Sequence, residues 1–173
     1  LAPSNTSVAG PPDLYEYFTK SWRSDISDTK IICEDGYTIY IYFLLANGRL
    51  PTTEECRELE RYFAEVKKPM GDLVAGMPPA EVPYNIDLTY YIASSNTKNA
   101  STIQANVKQA VEDYQTWQRK IGRDIDPAEL IMRVREAGAK RPHLTAPVDT
   151  KVSEIQVAKM ASCNIVYGGI EDD

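Results

Sequence analysis

Apolar and polar residues along the chain alternate in two distinct rhythms, and the switches between them divide the sequence into elements. Between Asp13 and Trp22 the apolar positions Leu14, Tyr15, Phe18 and Trp22 recur at spacings of three and four, which predicts a short amphipathic helix started by Asp13. Thr29–Cys33 and Tyr37–Leu45 read as two strands joined by the Asp-Gly turn Glu34-Asp35-Gly36. The second strand is apolar on both sides: Tyr37, Ile39, Ile41, Phe43 and Leu45 share one face, and Thr38, Tyr40, Tyr42 and Leu44 the other. Both faces are therefore expected to be covered. Thr52-Thr53-Glu54-Glu55 is a capping box, and the helix after it turns Cys56, Leu59, Phe63 and Val66 inward before Pro69-Met70-Gly71-Asp72 breaks it.

Beyond Leu73–Met77, the prolines Pro78 and Pro79 introduce a long strand, Val82–Ala93. There Ile86, Leu88, Tyr90 and Ile92 alternate with Asn85, Asp87, Thr89 and Tyr91, and the proline pair predicts a bulge or an edge position. The longest helix carries the stripe Ile103, Val107, Ala110, Val111, Tyr114 and Trp117, with Gly122 as its expected stop. Asp126-Pro127-Ala128-Glu129 starts another, which points Leu130, Ile131 and Val134 inward and ends at Gly138. Extended segments follow at Pro142–Pro147, Ile155–Lys159 and Cys163–Tyr167, the last closed by Gly168-Gly169. Strand, loop and amphipathic helix occur in that order twice, at Ile39–Ala64 and Ile86–Trp117. This predicts an α+β protein of two similar units, each a mixed or antiparallel sheet packed by helices: 1–12 as a flexible lead-in, 13–81 as the first unit, 82–173 as the second with an extended tail.

Composition narrows the function more than the fold. Nineteen Lys and Arg against 25 Asp and Glu give a net charge of −6 over 173 residues, without a basic block, so nucleic acid is not the expected ligand. The longest apolar run, Ile39–Ala46, is about half of a bilayer span, and no membrane insertion is expected. Cys33, Cys56 and Cys163 have neither a CxxC nor a metal spacing, which fits free, mostly buried thiols in a reducing compartment. The start at Leu1 rather than Met, without a signal-peptide pattern, reads as the later part of a longer protein.

Chemistry is sparse. His143 lacks a neighbouring Cys, His or Asp partner and reads as structural or exposed rather than catalytic; Asp124 and Asp126 resemble an acid pair, but Asp126 is accounted for as a helix cap. Gly168-Gly169 precedes no helix and makes no phosphate loop, and no GxSxG motif is present. Asn5-Thr6-Ser7 and Asn99-Ala100-Ser101 match the glycosylation pattern, which short polar segments match by chance. The expectation is a protein without enzymatic activity, catalytic residues, metal or cofactor. Eleven tyrosines remain, suited equally to core packing and to protein interfaces.

Several strings, in this order and spacing, resemble a known family. They are Pro12-Asp13-Leu14-Tyr15-Glu16-Tyr17, Ile26-Ser27-Asp28-Thr29-Lys30-Ile31, Leu44-Leu45-Ala46-Asn47-Gly48-Arg49-Leu50-Pro51 and Val82-Pro83-Tyr84-Asn85-Ile86-Asp87-Leu88-Thr89. Ile121-Gly122-Arg123-Asp124-Ile125, Leu144-Thr145-Ala146-Pro147 and Ile165-Val166-Tyr167-Gly168-Gly169-Ile170-Glu171-Asp172 complete the set. Together they resemble the C-terminal portion of the baseplate J-like proteins of contractile phage tails. The resemblance implies a structural wedge protein of a phage or phage-like baseplate, assembled in the bacterial cytoplasm. Its partners would be other baseplate proteins, among them a tail I-like wedge protein, and copies of itself, joined in a ring around the hub. The family supplies no catalytic residue to carry over. Under this reading the expected contacts are the aromatic surface near Tyr15, Tyr17 and Trp22 and the tail residues Tyr167, Gly168, Gly169 and Ile170. The competing readings are a small ligand-binding or adaptor module and a small enzyme with a pocket near His143 or Asp124.

Overall fold

The computed structural model describes residues 12–66 and 73–173. The expected lead-in and the break at Pro69–Asp72 lie outside the described residues, apart from Pro12. The chain forms an α+β fold and divides into two compact units, with the boundary in sequence between Ala80 and Glu81.

The first unit opens with α1 (Pro12–Trp22), in which Pro12 takes the first helical position and Asp13 lies in the first turn. Strands β1 (Asp28–Ile32) and β2 (Thr38–Leu44) form the expected antiparallel hairpin, and α2 (Thr53–Val66) then crosses over to β3 (Leu73–Met77), which pairs parallel to β2. Ile39, Ile41 and Phe43 face the helices and close a core with Tyr15, Leu45, Cys56, Leu59 and Phe63. Burial pushes the Cys56 thiol up to about 11, so it packs as a small hydrophobe. The opposite face of β2 departs from expectation. Tyr40 and Tyr42 stay half-buried there, and Leu44 alone is fully enclosed.

The cap of α2 forms as its sequence dictates. Glu55 N–H donates to the Thr52 hydroxyl at 3.1 Å, and the Thr52 N–H donates to the Glu55 carboxylate at 2.9 Å. Arg49 and Arg23 add ion pairs at 2.8 and 2.6 Å. Arg49 foremost, with the Thr52 amide and Arg23, holds the Glu55 carboxyl far below the usual carboxylate range. A depressed folded-state pKa contributes stability that is complete above the unfolded value of 4.5 and is lost as the pH falls through the folded value. Glu55→Gln keeps the cap geometry and removes the charge. It is expected to cost about 1 kcal/mol at neutral pH, because Arg49 is half exposed and screened, and to flatten part of the stability loss below pH 4.5 in urea titrations across pH.

In the second unit β4 (Ala80–Ala93) is the central strand of the order β5-β4-β6. This corrects the edge position expected from Pro78 and Pro79, which lie before the strand and remove no ladder donor from it; the irregularities fall at Asp87/Leu88 and Thr89/Tyr91 against β5 instead. Helix α3 (Ala100–Gln118) ends before the expected stop at Gly122, and α4 (Pro127–Glu136) begins on an Asp126 cap that accepts from Ala128 and Glu129 amides. β5 (Lys140–Ala146) runs antiparallel to β4. β6 (Gln156–Glu171) is one 16-residue strand where two segments were expected. Glu81 with Lys159, Asp87 with Asn164 and Tyr90 with Tyr167 advance in step, so β6 runs parallel to β4. Ile86, Leu88, Tyr90 and Ile92 face Val107, Val111, Tyr114, Leu130 and Val134 in the core of this unit. Each central strand thus carries one antiparallel and one parallel neighbour and is backed by two helices, but the helix-strand pair that precedes β2 in the first unit has its counterpart after α3 in the second.

Candidate interaction surfaces

Helix periodicity separates the aromatic residues of α1. Tyr15 is fully buried, its ring 5.8 Å from that of Phe63, so the expectation that it forms exposed surface does not hold. Tyr17, two positions on and about 200° around the helix, is 64% exposed. Trp22 lies between these extremes: its ring packs edge-on against Phe43 at 6.0 Å, and the Arg23 guanidinium sits 5.5 Å from its centre.

The four tail residues stand on the last strand, not beyond it. Gly168-Gly169 does not close β6, because Gly168 fits against the Tyr91 ring: a Cβ there would come within 2.3 Å of the ring edge. Gly169 has φ 107°, a left-handed conformation that favours glycine, and it keeps the strand going through a local kink. Tyr167 turns inward onto Tyr90 at 5.5 Å, whereas Ile170 is 44% exposed.

The face of this sheet away from the core carries an ordered polar array. Asp87 accepts from the Thr145 hydroxyl at 2.6 Å and from the Asn164 amide at 3.2 Å. Arg141, with φ 47°, holds its guanidinium 4.5 Å from the Tyr91 ring centre and pairs with Glu171 at 3.1 Å. Lys140 donates to the Asp172 carbonyl, and the Asp173 carboxylate accepts from the Ser94 hydroxyl and Ser95 amide, each at 3.2 Å. The end of β6 is thereby fastened at both β4 and β5. Sequence reasoning missed Arg141 and Tyr91; the Gly168 opposite Tyr91 was the available signal.

His143 is exposed on β5 opposite Thr89. Asp124 and Asp126 do not act as a pair: Asp124 accepts from the Val152 amide at 2.8 Å, which chiefly lowers its pKa, and from Lys151, while Asp126 caps α4. Among the described residues no cluster of three or more His, Cys, Asp or Glu has the proximity to hold a metal ion, and no helix is long and apolar enough to cross a membrane. All three cysteines are free, but Cys33 and Cys163 are exposed, which corrects the expectation of mostly buried thiols; both lie near the sheet margins, where packing is one-sided.

No family model matches the sequence. Over 169 residues, 96% of this chain, it is 25% identical to Baseplate protein J of Escherichia phage P2, with the match covering 55% of that protein. Among solved structures, a chain in the cryo-EM structure of the six-fold symmetrised anti-feeding prophage baseplate has the same fold, with a TM-score of 0.54 and 10% identity. That similarity covers 92% of this chain and 39% of the other. Both comparisons thus lead to baseplate proteins, the one in sequence and the other in fold. The sequence is similar to this baseplate J protein along most of its own length, and the chain spans about half the length of that curated relative.

Proposed function

We propose that the chain is part of a structural component of the baseplate of a contractile phage tail or phage-like particle, where it joins neighbouring wedges into a ring around the hub. The carrying observation is the sequence match to a baseplate protein along 96% of the chain; the shared fold with an anti-feeding prophage baseplate chain supports the architecture. Its partners in this reading are a tail I-like wedge protein and further copies of itself, and assembly takes place in the bacterial cytoplasm. Its role is mechanical: contacts made by the same patches on every copy hold the ring together. Tyr17, Trp22 and the β6 segment Tyr167–Ile170 are the surfaces assigned to those contacts, Tyr17 and Ile170 through exposed apolar area and Tyr167 by setting the strand's position.

The test is light scattering on size-exclusion fractions of the full-length protein, alone and co-expressed with a candidate tail I-like wedge protein. A stoichiometric complex is expected. A full-length protein that stays apart from that partner and is absent from purified particles overturns the proposal.

A further inference from the structure

We propose that the free edge of β6 pairs antiparallel with β6 of a second copy across a two-fold axis at Ile165, joining two three-stranded sheets into one. Among the described residues, the order β5-β4-β6 leaves one side of a 16-residue strand without a strand neighbour; the carbonyls of Gln156 and Ala158, at its start, accept from the Gly122 amide and the Arg119 guanidinium. Such edges are templates for pairing unless charge, proline or shortness blunts them. The other edges are blunted: β5 carries Lys140, Arg141 and Pro142, and β1 has five residues including Asp28 and Lys30. β6 has neither a charged residue nor a proline from Met160 to Ile170, and Ala161–Asn164 are all exposed. β3 is five residues long, too short to offer a comparable ladder.

Charge selects a second copy and the antiparallel sense. The uncharged stretch is bounded by Lys159 at one end and Glu171 at the other. Antiparallel pairing centred on Ile165 brings the Lys159 end of each copy against the Glu171 end of its partner, whereas parallel in-register pairing sets like charges together. Lys159 is 59% exposed beside Glu81 and keeps room for a second carboxylate. The register also matches faces. Asn164 reaches Asp87 on the solvent side of the sheet and Val166 is 41% exposed, and the pairing places these two residues opposite one another.

This deepens the proposed function by assigning a surface to the contact between copies, and it rests on that reading for its use in a ring. Full-length protein carrying Cys33→Ser and Cys163→Ser is made in two versions, one with Asn164→Cys and one with Val166→Cys, distinguished by a mass tag. Mild oxidation of the mixture is expected to yield the mixed disulfide dimer at least several-fold over either version alone, because residues 164 and 166 face each other while identical positions lie a diagonal apart, about 7–8 Å between Cα atoms. Ser162→Lys with Ile170→Lys in both versions, both at exposed positions, is expected to abolish it without shifting the thermal midpoint. Equal cross-linking of each version alone, or no cross-linking, overturns the pairing. Binding to the wedge protein is scored separately: protein that binds it without cross-linking overturns the β6 contact and leaves the baseplate reading standing, whereas cross-linking without that binding supports the contact and counts against the reading.

Discussion

Replacing Tyr15 with alanine is expected to cost the first unit about 3–5 kcal/mol, whereas Tyr17→Ala leaves stability within about 0.5 kcal/mol. Tyr15 has no exposed surface, stacks on Phe63 and occupies the space between α1 and the β2 residues Ile39, Ile41 and Phe43. Alanine there leaves a cavity that α1 can close only by moving, and Phe63 loses one aromatic neighbour while keeping Phe18 and Tyr62. Urea unfolding of both variants measures the difference. A Tyr15→Ala midpoint equal to the parent's would show that α1 does not pack as described. The same pair of variants separates packing from the contact proposed for Tyr17: a stable Tyr17→Ala protein that no longer associates with its copies would support that contact.

Gln118→Ala is expected to destabilise the second unit by about 3–4 kcal/mol, more than Tyr114→Phe at about 1–2 kcal/mol. The Gln118 side chain is fully buried at the end of α3 and makes four hydrogen bonds. Its oxygen accepts from the Tyr114 hydroxyl and the Asp126 amide, both at 3.0 Å, and its nitrogen donates to the Arg123 and Asp124 carbonyls at 3.3 and 2.8 Å. Alanine leaves a backbone amide and two carbonyls without this partner, whereas Phe at 114 removes one hydroxyl. Arg123 tightens the same turn through its bond to the Trp117 carbonyl and its stacking 4.1 Å from the Trp117 ring centre. Hydrogen exchange at the Asp126 amide reads the change directly: strong protection in the parent, near-complete loss in Gln118→Ala. Unchanged protection would count against the role given to Gln118.

Both results concern residues that the sequence shows only in part. The stripe from Ile103 to Trp117 was legible from its period, but the end of α3 was not. Gly122 looks like a stop, yet the chain leaves the helix at Gln118, because that side chain gathers the backbone groups of the turn that a further helical residue would displace. The β1-β2 hairpin, the capping box at Thr52 and Glu55 and the Asp126 cap were readable because their partners lie within a few residues. Parallel pairing of β2 with β3 and of β4 with β6 leaves no local trace, so the long final strand read as two pieces ending at a glycine pair. The candidate surfaces show the same limit. Tyr17 could be placed outside by helical geometry once Tyr15 was placed inside, but which of the two faces the core depends on Phe63, 48 positions away from Tyr15. The clasp of Arg141 on Tyr91 and Glu171 joins three strands and is invisible one segment at a time.

The two sheets share a layout but are closed by very different lengths of chain. β1 and β2 meet across a short turn, so the first unit's sheet can start from a local hairpin. Asp87 on β4 meets Asn164 on β6 only across 77 positions, and loop closure over that span comes before any contact rewards it. During synthesis the first unit can therefore be complete while β4 still waits for β6. The slow step in folding these residues is expected to be the arrival of β6, the strand assigned above to pairing with a second copy.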